Sequence, residues 1–347
     1  MPTCVQVSCN ICVDFPALPA YPGQPGVPPR MEDRRHMTQQ AAQSGRRTAS
    51  DWALFVLLSL MWAGAYQLTR IAVDKGNPDA GLPAAWVLAG RLTIGAAVLW
   101  VIMLAMGRRL PPLRDIPRWR TIVLMGLTSS TFPFFLITTA QKTVNSSLAA
   151  LYTAAVPLFV AIGAHVLFRD ERLTLGSALG VITGFAGVAV LFGPDALQSL
   201  DSASTIAQLM LIGATVFYAL SSLLARGAPP MPSISFATGF VTVAAIVTWP
   251  FALTVDPATV NADWTHWAGV VGLGIVPSAI AQALYMLLIA RTSATFLSLT
   301  GYSIPVMAAV LGFFLFGETQ TWHAMVAFAL ILSGVWLARH GGGDKTA

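Results

Sequence analysis

Residues 148–168 read LAALYTAAVPLFVAIGAHVLF, an almost uncharged apolar run with Pro157 near its middle. The run returns near the C-terminus as FLSLTGYSIPVMAAVLGFFLF, residues 296–316, with Pro305 at the matching place. About twenty apolar residues is the length that crosses a bilayer's hydrocarbon core as a helix. A proline inside such a helix removes a backbone hydrogen bond, which membranes tolerate where neighbouring helices or a wet cavity re-satisfy the freed carbonyl. An acid follows each run, Glu171 in one and Glu318 in the other. The expectation is two helices facing each other around a substrate path.

Eight further apolar runs surround this pair. Together the ten lie at about 52–73, 84–106, 121–140, 148–168, 175–192, 206–225, 234–253, 267–290, 295–316 and 322–338. The composition agrees: 55% of the 347 residues are hydrophobic, 10% are charged, and mean hydropathy is +0.68. A soluble domain carries about 25% charged residues, so the chain reads as an all-α integral membrane protein with ten transmembrane helices. The net charge of +5 does not point to nucleic acid, because the basic residues sit in short loops between apolar runs instead of lining one face.

Those basic residues divide unevenly between the two sets of loops. Sixteen fall on the set that includes both termini, and Arg70, Lys75 and Lys142 on the other. By the positive-inside rule both termini face the cytoplasm.

The duplication extends past the opening pair. Gly126 and Gly274 are 148 residues apart, as are Pro157 and Pro305. Glu171 and Glu318, Thr174 and Thr321, and Gly187 and Gly334 are each 147 apart. Five helices per copy is an odd number, so the second copy enters the membrane from the opposite side. The expected fold is therefore two inverted five-helix repeats, residues 51–193 and 203–340, an architecture recurrent among secondary transporters. Residues 1–50 are rich in Pro, Gly and polar side chains and read as a disordered tail, with Met31 and Met37 as alternative starts. Residues 341–347 form a short C-terminal tail. All three cysteines, Cys4, Cys9 and Cys12, lie in the first tail, too few ligands for a metal cluster.

Several residues carry a family resemblance. The mid-proline helix in two copies is followed by Glu171-Arg172-Leu173-Thr174 in one and by Glu318 and Thr321 in the other. Next comes a helix with small residues at Gly180, Gly184 and Gly187, or at Ser333 and Gly334, and the first run contains Leu60-Met61-Trp62-Ala63-Gly64. This pattern resembles a tandem EamA domain of the drug/metabolite transporter superfamily across nearly the whole chain after residue 51. The second copy departs from it, with Ala327 and Ile331 where the first has Gly180 and Gly184. The resemblance implies a multi-pass bundle in an inner or plasma membrane that moves small organic solutes, often outward, amino acids among them.

An ionisable group at membrane depth suggests function by default. All fifteen carboxylates fall in tails, loops or segment ends, which leaves Arg91 and His165. Arg91 lies about 10 Å along its helix, where contact with an anion in a cavity and snorkelling to the interface are both open. His165 is near a helix end and reads as interfacial. Glu171 and Glu318 read as helix-end features, each three residues before a Thr that caps the next helix. The candidate substrate path is Tyr66, Gln67, Arg91, Tyr152, Pro157, Tyr218, Gln282, Tyr285, Tyr302 and Pro305, with Thr128 to Thr131 and Ser303 as further polar candidates. Trp52, Trp249, Trp267 and Trp322 read as an interfacial belt.

These features favour a secondary transporter or facilitator, most readily an exporter, of small organic metabolites such as amino acids. A nucleotide-sugar or sugar-phosphate transporter of the same superfamily is the nearest alternative, although such polyanions call for several basic residues along the path. A non-transporting scaffold and a membrane-embedded enzyme are more distant, the latter for want of a metal motif or a cysteine beyond residue 12. No phosphate-binding loop is present and no cofactor is expected. The expected partners are a small organic solute and lipid, with homodimerisation open, and neither nucleic acid nor ATP.

Overall fold

The computed structural model describes residues 48–74, 80–167, 175–198, 203–256, 261–292, 294–297 and 299–340. The N-terminal tail with its cysteines, Glu171 and Thr174 lie outside them.

The described residues form helices and no strands. These are α1 (Ala49–Val73), α2 (Ala84–Ala105), α3 (Ile116–Ala140), α4 (Ser146–Leu167), α5 (Leu175–Gln198) and α6 (Ala203–Arg226), then α7 (Ser233–Ala252), α8 (264–291), α9 (Thr300–Phe316) and α10 (Trp322–His340). A single turn, Ala294–Leu297, precedes α9. By length and hydropathy α1 to α4 and α6 to α8 each contain a segment able to cross a membrane. The apolar stretches of α5, α9 and α10 are shorter: Leu175–Val190, Thr300–Phe316 and Trp322–Leu337. Large apolar side chains face outward along these helices, including Val101, Ile182 and Ile246, each about two-thirds exposed. Lipid is the solvent that accepts such a surface.

Helix starts follow local chemistry. Thr48 caps α1 in a reciprocal box: its hydroxyl accepts from Asp51 N at 3.3 Å, and Asp51 Oδ2 accepts from Thr48 N at 3.0 Å. Asp115 caps α3, followed by Pro117 in the first turn, where a missing N–H costs nothing.

The packing repeats across the duplication. Helix α2 packs along α7, α1 packs on α9 as α6 packs on α4, and α5 packs closely on α10. Glycines show the symmetry at atomic distance. A Cβ on Gly187 would meet Ala327 O at 2.8 Å and Ile331 N at 2.9 Å, and one on Gly334 would meet Gly180 O at 2.6 Å and the Gly184 backbone. Shifted by 147 residues, each contact set maps onto the other, so the small residues let two backbones touch.

Gly126 and Gly274 mark a second matched feature, because each opens a π-helical segment, Gly126–Thr131 within α3 and Gly274–Ile280 within α8. A Cβ on Gly126 would lie 2.7 Å from Phe240 O in α7, and one on Gly274 would lie 3.0 Å from Arg91 O and 2.6 Å from Ile94 Cβ in α2. Prolines contribute, since Pro133 follows the first segment and Pro277 lies inside the second. Each removes an N–H from the helical ladder, and the wider turn accommodates the loss.

The two central prolines, at matching places in the repeat, do not break their helices alike. Helix α4 is interrupted at Ala154 and Ala155 and restarts at Val156, with Pro157 in the new first turn. There Thr215 Oγ1 donates to Tyr152 O at 3.2 Å, supplying a partner from α6. Helix α9 runs unbroken through Pro305, and its interruption falls earlier, before Thr300.

Candidate functional site

A cavity of about 780 Å³ lies between the two halves. Its wall draws on α1 to α4 of the first repeat and on α6 to α10 of the second. The π segments bring hydroxyls to it, Ser129 and Ser130 from α3 and Ser278 from α8. Ser130 and Ser278 are 148 residues apart and thus equivalent under the repeat.

Arg91 breaks that equivalence, because its counterpart 148 residues on is Gly239. The side chain is buried, with the residue only 5% exposed, and it lines the cavity. Its Nε and Nη2 donate to Ser278 Oγ at 3.3 and 3.1 Å, and its guanidinium carbon sits 4.0 Å from the centre of the Phe134 ring. Stacking on an aromatic face and donating from one edge holds the planar group still. Nη1 has no hydrogen-bond partner among the described residues. Snorkelling is therefore not its arrangement: the charge is directed inward and pinned there.

Six of the ten sequence-derived candidates line this cavity: Tyr66, Arg91, Pro157, Tyr218, Gln282 and Tyr285. Tyr66 Oη pairs with Thr153 Oγ1 at 3.1 Å, beside the break in α4. The Tyr218 and Tyr285 hydroxyls and the Gln282 amide make no hydrogen bond to described residues, so they remain available to a solute. The other four lie elsewhere. Tyr152 is fully buried against α6 and donates to Gln208 Oε1 at 2.6 Å. Gln67 donates to Ala308 O at 2.9 Å and accepts from Ser146 Oγ at 2.7 Å, which makes it a link between helices. Tyr302 packs against the apolar core around α4, α6 and α10, and Pro305 is buried within α9. Of the other polar candidates, Ser129 and Ser130 reach the cavity, whereas Thr128 bonds back to Leu124 O and Ser303 pairs with Ser59. His165 is exposed near the end of α4.

One end of the bundle is closed by a polar knot. Glu318, between α9 and α10, is only 5% exposed. Its Oε1 accepts from Ser146 N at 3.2 Å, from Ser146 Oγ at 2.7 Å and from Arg70 Nη1, while Oε2 accepts from Ser147 N at 3.1 Å and Ser147 Oγ at 2.5 Å. Burial alone would push this carboxyl up, but the hydrogen bonds from Ser147, Ser146 and Arg70 outweigh it and hold Glu318 below its ordinary range. Arg70 also lies over the Phe316 ring at 4.4 Å. The expected role of Glu318 as a helix-end feature needs correcting. Thr321 does cap α10, accepting from Ala324 N at 3.3 Å, but the Glu318 carboxylate serves the N-terminus of α4, across the repeat boundary. It ties the end of α1, the start of α4 and the end of α9 together. Separately, Gln141 at the end of α3 donates to Tyr66 O of α1 at 2.8 Å.

From this knot the cavity extends the other way. Its wall reaches Ala164 near the end of α4, Ser222 near the end of α6 and Leu297 before α9. A chamber walled by two inverted repeats is suited to holding a solute within a bilayer. Comparison with known proteins agrees, since the EamA-like transporter family model matches residues 51–193 and 205–339. This chain belongs to the EamA-like transporter family. Among curated relatives of this EamA transporter is the probable terminal-alkyne amino-acid exporter of Streptantibioticus cattleyicolor, 29% identical over 82% of this chain and 92% of the relative. The uncharacterized inner membrane transporter YedA of Escherichia coli K12 is 27% identical over 81% of this chain and 89% of its own length. A solved structure 23% identical to this chain, over 84% of this chain and 98% of that one, shares the fold with a TM-score of 0.57. The EamA protein is thus a multi-pass membrane transporter.

Proposed function

We propose that this EamA transporter is a secondary exporter of small organic metabolites, amino acids among the class, working by alternating access between its two inverted repeats. The observation that carries the reading is the cavity: about 780 Å³ of space shared by both halves, with the Arg70–Glu318 knot at one end of the bundle. That volume falls within the range of sites for drug-sized solutes. The ten apolar runs support ten crossings, and the sixteen-to-three distribution of basic residues supports cytoplasmic termini. The knot then lies at the outer face and the chamber extends toward the cytoplasm, as a state that loads solute for export requires. Release outward needs the knot to part and the cytoplasmic ends of α4, α6 and α9 to close.

The test compares cells with and without the gene for metabolites retained inside and released outside. Expression is expected to raise the release of a defined set of small organic solutes and to lower their internal level. Unchanged internal and external pools across the small-solute range would overturn the proposal.

A further inference from the structure

We propose that Arg91 is the anchor for a substrate carboxylate, and that this transporter prefers organic monocarboxylates with an apolar body and no fixed positive charge over the corresponding zwitterions, amines and alcohols. The inference rests on the transporter reading above and narrows it, ranking amino acids, as zwitterions, below plain carboxylates within the class.

Charge balance carries the first half. Among the described lining residues Arg91 bears the only fixed charge, and it is pinned by Ser278 on one edge and Phe134 on one face. The knot's ion pair shows how this protein neutralises a partly buried cation elsewhere, with Glu318 directly against Arg70. Among the described residues Arg91 has no such carboxylate, although burying an unpaired charge is costly. Arg91 lines a chamber in which a ligand oxygen can supply the missing partner. Tyr66 and Tyr218 lie within electrostatic reach of the guanidinium, and both line the same chamber. Their hydroxyls can donate to the same carboxylate and share its charge.

The second half follows from what surrounds this anchor. A zwitterion's ammonium would enter a chamber whose described wall carries no acid, beside a cation that repels it. A phosphate-bearing sugar nucleotide would bring more negative charge than one arginine can balance. The body of the ligand instead meets Trp62, Leu92, Val160, Ile304 and Tyr285. These suit an aromatic or branched apolar group. The first repeat alone supplies the cation, because Gly239 stands at the equivalent position, so the two halves share the cavity but not the anchor.

The experiment uses the full-length protein in proteoliposomes and four solutes with one common body: 3-phenylpropionate, phenylalanine, phenethylamine and 3-phenylpropanol. Transport of each is measured in wild type, Arg91→Gln and Arg91→Lys, with thermal unfolding of each variant recorded as a check on folding. The expected result is a preference for phenylpropionate over phenylpropanol of about tenfold or more, the scale of one charge-assisted pair. That preference, read as the acid-to-alcohol ratio within each variant, should vanish in Arg91→Gln and persist in part in Arg91→Lys. A folded Arg91→Gln that keeps the wild-type acid-to-alcohol ratio overturns the inference and leaves the transporter reading intact, as does a wild-type preference for phenylalanine or the amine. Failure of all four to move, beside a positive metabolite-release result in cells, also overturns the inference. The same failure beside a negative release result removes the transporter reading on which it rests.

Discussion

Replacing Glu318 with Gln keeps the shape of the knot and removes its charge. The carboxylate accepts hydrogen bonds at both oxygens, from Arg70 and Ser146 at Oε1 and from Ser147 at Oε2. An amide nitrogen cannot accept, so in either orientation it faces a backbone N–H or an arginine donor that it cannot satisfy. Losing two charge-assisted bonds at about 1.5 kcal/mol each amounts to about 3 kcal/mol. That agrees with the roughly 3–5 kcal/mol typical of unpairing a buried ion. These bonds join α1, α4 and α9 only while this end is closed, so the loss acts on the conformational equilibrium, shifting it by on the order of a hundredfold. Cysteine accessibility measures the shift. All native cysteines lie in the tail, so Cys4→Ser, Cys9→Ser and Cys12→Ser give a clean background for Ser129→Cys on the cavity wall. Labelling by an impermeant maleimide from the Glu318 side should rise about tenfold or more in Glu318→Gln. Unchanged labelling in a protein that is still folded would refute the reasoning that this knot holds the end shut.

The same carboxyl sets a pH dependence. Its folded-state pKa lies below the unfolded value, so its stabilisation is fully present above the unfolded carboxylate range of about 4.3 and is lost as pH falls through the lower folded value. Thermal stability should therefore drop in that acid window in wild type and less so in Glu318→Gln. Gly334→Ala places a methyl against the backbone of Gly180 and Gly184, and overpacking of about 1–3 kcal/mol should lower the melting temperature. Tyr152→Phe orphans the buried Gln208 acceptor at a cost of about 1–3 kcal/mol. It should lower stability while leaving the apparent KM for a transported solute within about twofold, which separates this tyrosine from those that line the cavity.

Much of this fold was legible because bilayer thickness and loop charge leave a coarse imprint. Each apolar run coincides with a helix, and the spacing of Gly126 and Gly274 marked two positions that turned out to be structurally equivalent. That equivalence concerns π turns, which periodicity does not reveal, although a glycine followed by a proline in each helix was an available signal. The site was harder to read. Polar side chains at mid-depth cannot be sorted by sequence into those facing a cavity and those bridging helices, and so Gln67 and Tyr152 were grouped with Tyr66 and Gln282. Arg91 was identified by its depth, but its seat between Ser278 and Phe134 depends on packing across the repeats. Glu318 was placed correctly at a segment end and given the wrong helix. Its partner Arg70 was visible as one of three basic residues on the sparse side, and an acid and a base at helix ends on that side could have suggested their pairing.

Counterflow in proteoliposomes tests the central claim most directly. Vesicles holding the purified protein are loaded with unlabelled solute from the released set and diluted into a trace of the labelled solute. Alternating access predicts transient accumulation of label above equilibrium, since each returning carrier brings solute with it. Label that only equilibrates, at the rate seen in protein-free vesicles, would contradict the account.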